Sequence, residues 1–339
     1  MRVTINDIAK MANVSKASVS RVINNKSEGV GKETRDRILK VIEEHQFQPS
    51  MLARGLVTKR TKTIGLIIPD ITNPFFPQLV RGAEDYASKY GYNIFLGNTD
   101  KSVNKEKEYL SAFVEKSVDG VILTSNISEA DSQYKLLKQS GTPCVLLDRY
   151  VKYEDYEVGV YLDNVKGAYM ATELLLSHGH TNIAFIAGPL MVATSTNRIA
   201  GFKKAHTEKG LPINPDLIVE GDYMMDSGYR LVDRLIEEGK KFTAIVAGND
   251  MMAIGAMKAL KRRGIKIPNE IEIVGFDNIE MSQIVEPALS TIAQPAYEMG
   301  AQGAKMLINI LEKKKLKNKN VILEPELILR GSTITKEQL

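Results

Sequence analysis

In the stretch Val3-Thr4-Ile5-Asn6-Asp7-Ile8-Ala9-Lys10-Met11-Ala12-Asn13-Val14-Ser15-Lys16-Ala17-Ser18-Val19-Ser20-Arg21-Val22-Ile23-Asn24, apolar residues recur at helical spacing on both sides of a short break. Thr4 with Asp7 three residues on reads as a capping box, Asp standing in for Glu, ahead of Ile5, Ile8, Ala9 and Ala12. That pattern predicts a short amphipathic helix over roughly 5–12. Asn13-Val14 ends it, and Ser15 can cap a second helix running through Val19, Val22 and Ile23 to Asn24. With small Ala9 where they cross, the two make a helix-turn-helix. A third helix, about 32–45, would bury Ile38, Val41 and Ile42 beneath the pair. The second helix turns Ser15, Lys16, Ala17, Ser18, Ser20 and Arg21 to its polar face. Hydroxyls suit phosphate oxygens and long cationic side chains suit base edges, so this helix fits a DNA major groove. An unrelated helical hairpin has the same periodicity.

Charge separates the two readings. Of the 45 basic and 41 acidic residues, 13 and 6 fall within residues 1–62, net +7, which leaves 32 and 35 beyond, net −3. The positive charge is concentrated in the first fifth of the chain, as for a nucleic-acid-binding head on a near-neutral body. The 339 residues, 43% hydrophobic and 25% charged, suit two or three globular domains. No apolar run is long enough to span a membrane. The first residues lack a hydrophobic signal core, so the cytoplasm is the expected location. A single cysteine, Cys144, excludes an internal disulfide, and the four histidines show no metal-ligand spacing, so no cofactor or metal is expected.

Beyond residue 62, apolar runs alternate with helical patterns. Strands are predicted at 63–69, 92–97, 120–124, 144–147, 158–162, 183–187, 217–220, 244–247 and 271–275, with helices between them. Such alternation implies parallel sheets, and about ten strands exceed one comfortable sheet, so two α/β lobes follow. Polar residues sit just past the strands' carboxyl ends: Asp70 and Asn73, Asn98 to Asp100, Asp148-Arg149, Asn249-Asp250 and Asp277-Asn278. Open parallel sheets bind ligands at that edge. Facing lobes would enclose carboxylates, amides and guanidinium groups, with Phe75 and Phe76 as apolar faces. That mix suits a polyhydroxylated or sugar-acid ligand. Any one of these residues could instead cap a helix or lie on the surface; the set points to a site.

Enzyme readings find little support. There is no glycine-rich phosphate loop after the first strand and no Gly-x-Ser-x-Gly elbow. Cys144 lies in the apolar run Pro143-Cys144-Val145-Leu146-Leu147 and reads as an inert core thiol. His178-Gly179-His180 falls at a helix end, where imidazoles can satisfy terminal carbonyls. The basic run Lys313 to Lys319 reads as a solvated helix terminus favoured by the helix dipole.

Val3 to Ala9, Val14 to Asn24, Thr34-Arg35, Pro49 and Ala53-Arg54-Gly55-Leu56 resemble the LacI/GalR family of bacterial transcription regulators, and the similarity runs nearly to the C-terminus. The resemblance implies a DNA-binding head over 1–48, a hinge helix over 49–62 and a periplasmic-binding-protein-like body over 63–339. The lobes would comprise about 63–162 with 294–322, and 163–293 with 323–339. Lys16, Ala17 and Arg21 would select the operator, with Thr4, Ser15, Ser18, Ser20, Asn24 and Ala53 also facing DNA. Leu56 would wedge a minor-groove step, although by itself it reads as an ordinary core leucine. Asn73, Phe75, Asp148, Arg198, Asn249, Asp277 and Gln294 would contact a small sugar or sugar-acid effector. Within the family the chain is similar to the keto-deoxygluconate type.

Two alternatives stay open. One is a catabolite-control-type regulator whose corepressor is a phosphorylated carrier protein, though Lys305 stands where that subgroup has Arg. The other is a sugar-binding protein without DNA activity. A single helix-turn-helix reads few base pairs, so a homodimer on a pseudo-palindromic DNA operator is expected, paired through helices near 76–90 and 104–116. The end of the chain is too short and polar for a tetramerising heptad repeat.

Overall fold

The computed structural model describes residues 3–23, 29–47, 60–125, 131–150 and 158–334, without the side chains of 131–134. Two compact units result, Met1–Thr61 and Lys62–Leu339.

In the first unit, α1 (Ile5–Met11), α2 (Lys16–Ile23) and α3 (Lys32–Glu44) pack around Ile8, Ala9, Ala12, Val19, Val22 and Ile38. The capping box forms as its residues require. Asp7 N donates to Thr4 Oγ1 at 3.4 Å and Thr4 N donates to Asp7 Oδ2 at 2.9 Å. Val41 and Ile42 pack at the margin of this core, half-buried.

The second unit holds two six-stranded sheets. The first has the order β11-β5-β4-β3-β1-β2, from β1 (Thr63–Ile68), β2 (Asn93–Asn98), β3 (Gly120–Leu123), β4 (Cys144–Leu147), β5 (Gly159–Leu162) and β11 (Asn320–Leu323). The second has the order β12-β10-β9-β8-β6-β7, from β6 (Ile183–Ala187), β7 (Ile218–Glu220), β8 (Ala244–Ala247), β9 (Glu272–Asp277), β10 (Ser290–Ala293) and β12 (Glu326–Ile328). The chain passes between the sheets after β5, after β10 and after β11, so each lobe is discontinuous in sequence. All pairings are parallel except β12 against β10. Only Glu324 and Pro325 separate β11 from β12. With no crossover helix, the chain enters the second sheet from its carboxyl edge and must run backwards.

Helices flank both sheets: α4 (Phe75–Lys89), α5 (Val103–Glu115), α6 (Asp131–Ser140), α7 (Asn164–Ser177), α8 (Ala193–Glu208), α9 (Met225–Glu237), α10 (Asp250–Arg262), the short α11 (Met281–Ile284) and α12 (Ala296–Leu311). One apolar cluster runs through both lobes, from Ile64 and Leu79 to Phe185, Phe202 and Phe276. Three helix pairs touch backbone to backbone at glycines. A Cβ on Gly82 of α4 would sit 1.9 Å from Tyr297 O of α12, and one on Gly300 of α12 equally close to Leu79 O. A Cβ on Gly255 of α10 would sit 1.9 Å from Met225 O of α9, and one on Gly201 of α8 would sit 2.2 Å from Val165 O of α7. Glycine costs a helix interior about 0.5–1 kcal/mol against alanine, a cost that this close packing offsets.

The ring nitrogens of His178 and His180 do not serve helix carbonyls. They bracket the buried Glu272 carboxylate: His178 Nδ1 lies 2.8 Å from Oε2 and His180 Nε2 lies 2.9 Å from Oε1. Burial pushes the Glu272 carboxyl up, but the two imidazole bonds outweigh it and hold it below the ordinary range. The helix-end carbonyls are met by backbone instead, His178 N to Leu174 O and His180 N to Leu175 O. Cys144 is buried, which raises its thiol pKa. Among the described residues, no helix is long and apolar enough to cross a membrane.

Candidate functional site

On α2, the apolar face (Val19, Val22) is buried, and Lys16, Ala17 and Arg21 are exposed on the other. Ser18 and Ser20 are half-buried beside them. Two of the expected DNA-facing hydroxyls already have local partners. Ser15 Oγ accepts from Ser18 N at 3.1 Å, capping α2, and Thr4 Oγ1 donates to Asp7 Oδ2 at 2.7 Å. These side chains position the helices, which leaves Lys16, Ala17 and Arg21 as the free outer face. Asn24, Ala53 and Leu56 lie outside the described residues.

In the body, the carboxyl ends of the two sheets face each other across a cleft. Lobe one contributes Asn73, Phe75 and Phe76 at the start of α4, and Asp148 and Arg149 after β4. Lobe two contributes Thr194 and Arg198 of α8, Tyr223 after β7 and Asp277 at the end of β9, while Gln294 sits on a crossover. The space left between them is about 20 Å³. Phe75, Asp277 and Gln294 also line an outer groove of about 750 Å³ with Ile71, Pro74 and Tyr297, which gives a route inward.

Arg198 is the centre of this wall. Its Nε donates to Asn164 Oδ1 at 2.7 Å and its Nη1 donates to the Gly248 carbonyl. The guanidinium stacks 3.7 Å over the Phe276 ring and lies 3.9 Å from Asp277 Oδ1. Gln294 Nε2 donates to the same Asp277 oxygen at 2.6 Å. Burial pushes the Asp277 carboxyl up to about 7, against the pull of Arg198 and Gln294 and with help from the Asp148 charge. Burial also raises Asp148, opposed by Arg149, 3.7 Å away, and by Arg198. Two buried acceptors, Asp148 Oδ1 and Gln294 Oε1, have no hydrogen-bond partner in the protein. Asp148 (φ 62°), Tyr223 (φ 70°) and Asp277 (φ 115°) all hold left-handed backbone conformations. Strain of this kind persists where the surroundings over-determine it, and it gathers at ligand sites.

Six of the seven effector residues expected from the sequence line the cleft; Asn249 does not. Its Oδ1 accepts from Met252 N at 3.0 Å, capping α10, and its Nδ2 donates to Tyr223 O at 3.0 Å. It supports the residue that does face the cavity. The seven omitted four lining residues: Phe76 and Arg149, which the sequence marks as an apolar face and a strand-end cation, and Tyr223 and Thr194. Tyr223 falls just past β7, where the strand-end rule applies, and its hydroxyl lies 2.6 Å from Ser195 Oγ. Thr194 escaped the strand-end rule because it lies on the first turn of α8, which starts at Ala193, and not just past a strand. Ser and Thr disfavour helix interiors in general, yet here the Thr194 and Ser195 hydroxyls turn to Tyr223.

Residues 4–50 match the bacterial regulatory proteins of the lacI family, and residues 61–329 match the periplasmic binding proteins and sugar binding domain of the LacI family. The chain is similar to catabolite control protein A of Priestia megaterium, 41% identical over 98% of this chain and all of that protein. It is similar also to the ribose operon repressor of Halalkalibacterium halodurans, 42% identical over 97% of each. Its fold resembles the lac repressor dimer bound to operator and the anti-inducer ONPF, with a TM-score of 0.88 and 26% identity over 99% of this chain and all of that one.

Proposed function

The chain belongs to the LacI family of bacterial regulatory proteins, and we propose that it answers to a neutral, hydroxyl-rich effector held between the lobes of its body. As a family member it is a DNA-binding transcriptional repressor and not an enzyme. Its bacterial relatives support a cytoplasmic location.

The observation that carries the effector reading is the pair of unpartnered buried acceptors, Asp148 Oδ1 and Gln294 Oε1. Buried acceptors are costly without donors, and sugar hydroxyls supply donors. Phe75, Phe76 and Tyr223 offer apolar faces to a ring. Asp148 and Asp277 both face the cavity, so a sugar acid would bring a carboxylate beside two carboxyls whose charge burial already disfavours. The neutral sugar is favoured over the acid. D-ribose heads the test because a relative is a ribose operon repressor. In thermal-shift measurements D-ribose or D-glucose is expected to raise the melting temperature, since a ligand at 100 times its Kd adds about 2.7 kcal/mol. A rise with gluconate or hypoxanthine alone overturns the neutral reading. Similarity to catabolite control protein A supports a second reading, a phosphorylated carrier protein docked near exposed Lys305, which stands if no small molecule shifts the melt.

The head supports a paired DNA reader. The outer strand β2 exposes Phe95 and Leu96, and α4 exposes Tyr90 at its end; a second copy would cover the open edge of β2. Lys16→Ala is expected to cost about 1–3 kcal/mol on the operator and much less on random duplex, the mark of a base contact. Fluorescence anisotropy titration reads both that loss and the stoichiometry, expected at two chains per operator. Equal losses on both duplexes would reduce Lys16 to a phosphate contact, and one chain per operator rules out the dimer.

A further inference from the structure

The lobes are tied at a point away from the three crossovers. Lys101, in the turn between β2 and α5, donates from Nζ to the backbone carbonyl of Asp222 in the second lobe at 3.1 Å. The same ammonium lies 3.3 Å from the Asp70 carboxylate of its own lobe. Both partners lead directly into the cleft wall. Asp70 Oδ1 accepts from Thr72 N at 2.9 Å and from Thr72 Oγ1 at 2.6 Å, fixing the loop that delivers Asn73 and Phe75. Burial would raise the Asp70 carboxyl, but the Thr72 bonds and the Lys101 charge outweigh it, so Asp70 meets Lys101 ionised. On the other side, Asp222 immediately precedes Tyr223 and its Oδ1 accepts from Met224 N at 2.8 Å.

The turn is shaped to present this ammonium. Asp100 (φ 49°) and Lys101 (φ 63°) are successive non-glycine residues in the left-handed region. Lys101 N donates to Pro69 O at 2.9 Å, and the Asp100 carboxylate is occupied by Asn98 Nδ2 and Lys105. The space between the lobes at the inner wall is about 20 Å³, so a sugar ring reaches Asp148 and Arg198 only when the lobes part. Parting them stretches the bond from Lys101 to Asp222.

We infer that Lys101 is an interlobe latch, a positioning residue that holds the cleft shut and sets how long an effector stays inside. The inference rests on the effector reading only where a sugar is used as probe. The test therefore begins without one. Spin labels on Lys107→Cys and Asp226→Cys, exposed positions on α5 and α9 in opposite lobes, report the interlobe distance in the full chain, with native Cys144 buried. Lys101→Met keeps the stem and removes the donor. It is expected to raise the population of long distances about fivefold, the scale of one hydrogen bond, while Lys101→Arg stays near wild type. With D-ribose as probe, release from Lys101→Met is expected to be faster by a similar factor, with the ligand-free melting temperature little changed. Identical distance distributions in wild type and Lys101→Met overturn the latch whether or not ribose binds. A distance response without ribose binding upholds the latch and counts against ribose as the effector instead.

Discussion

Arg198→Ala is expected to abolish the effector response and to destabilise the body by about 3–5 kcal/mol, the cost of removing one partner from a buried charged network. The residue is 4% exposed, and its donors serve Asn164 and Gly248 while its charge faces Asp277. Truncation strands the Asn164 carbonyl, uncovers the Phe276 face and withdraws the cation that opposes the burial of both Asp277 and Asp148. For a unit of this size the loss is a fall of order 10 °C in melting temperature. Arg198→Lys keeps a charge but cannot fork between Nε and Nη1 partners, so it is expected to recover stability only in part. Calorimetry reads the melt, and a sugar titration reads the response. The head is a compact unit separate from the body, so effector-free operator binding should survive below the lowered melting temperature. A variant that melts with wild type and still responds at wild-type sugar concentrations removes Arg198 from the site.

What the sequence revealed follows from the range of the interactions involved. The head is local: Thr4 with Asp7, Ser15 with Ser18, and the stripe through Ala9, Val19 and Ile38 are all set by spacing along short helices. The cleft was legible by one rule, that ligands meet parallel strands at their carboxyl ends, and this found Asn73, Asp148 and Asp277. The same rule could not tell a lining residue from the one behind it. Asn249 and Tyr223 both follow strands, and only the fold shows that the amide of the first supports the carbonyl of the second. Long-range contacts were invisible for the same reason. Nothing near His178 or His180 in sequence announces Glu272, about ninety residues away. Nor does any local signal mark Gly82 and Gly300 as one crossing. The reversed β12 is a consequence of how the chain passes between lobes, which no window of a few residues contains.

The buried carboxylate at the end of β9 gives the body an unusual pH dependence. Asp277 titrates near 3.8 when unfolded and at about 7 when folded. Between those values the folded state keeps a proton that the unfolded state has released. Its contribution is therefore complete below about pH 4 and is lost as pH rises to about 7, at about 1.4 kcal/mol per unit and roughly 4 kcal/mol in all. Glu272 has the opposite sign, because its folded carboxyl is held below 4.5, so its contribution is lost only as pH falls beneath that value. The two windows meet only near pH 4. Asp277→Asn removes the ionisation and still offers Gln294 Nε2 an acceptor. Denaturant melts from pH 4 to pH 8 are expected to show the variant losing less stability than wild type across that range and matching or exceeding it at pH 8. Sugar hydroxyls donate to the ionised form, so effector binding should expel this proton. Wild-type affinity for the effector should fall about tenfold from pH 8 to pH 6, the linkage of one proton to a group titrating near 7. In Asp277→Asn the affinity should be weak and level across the same range. A variant whose melts and affinities keep the wild-type slope would assign the proton to another buried carboxyl, with Asp148 and Asp250 as the groups also raised by burial.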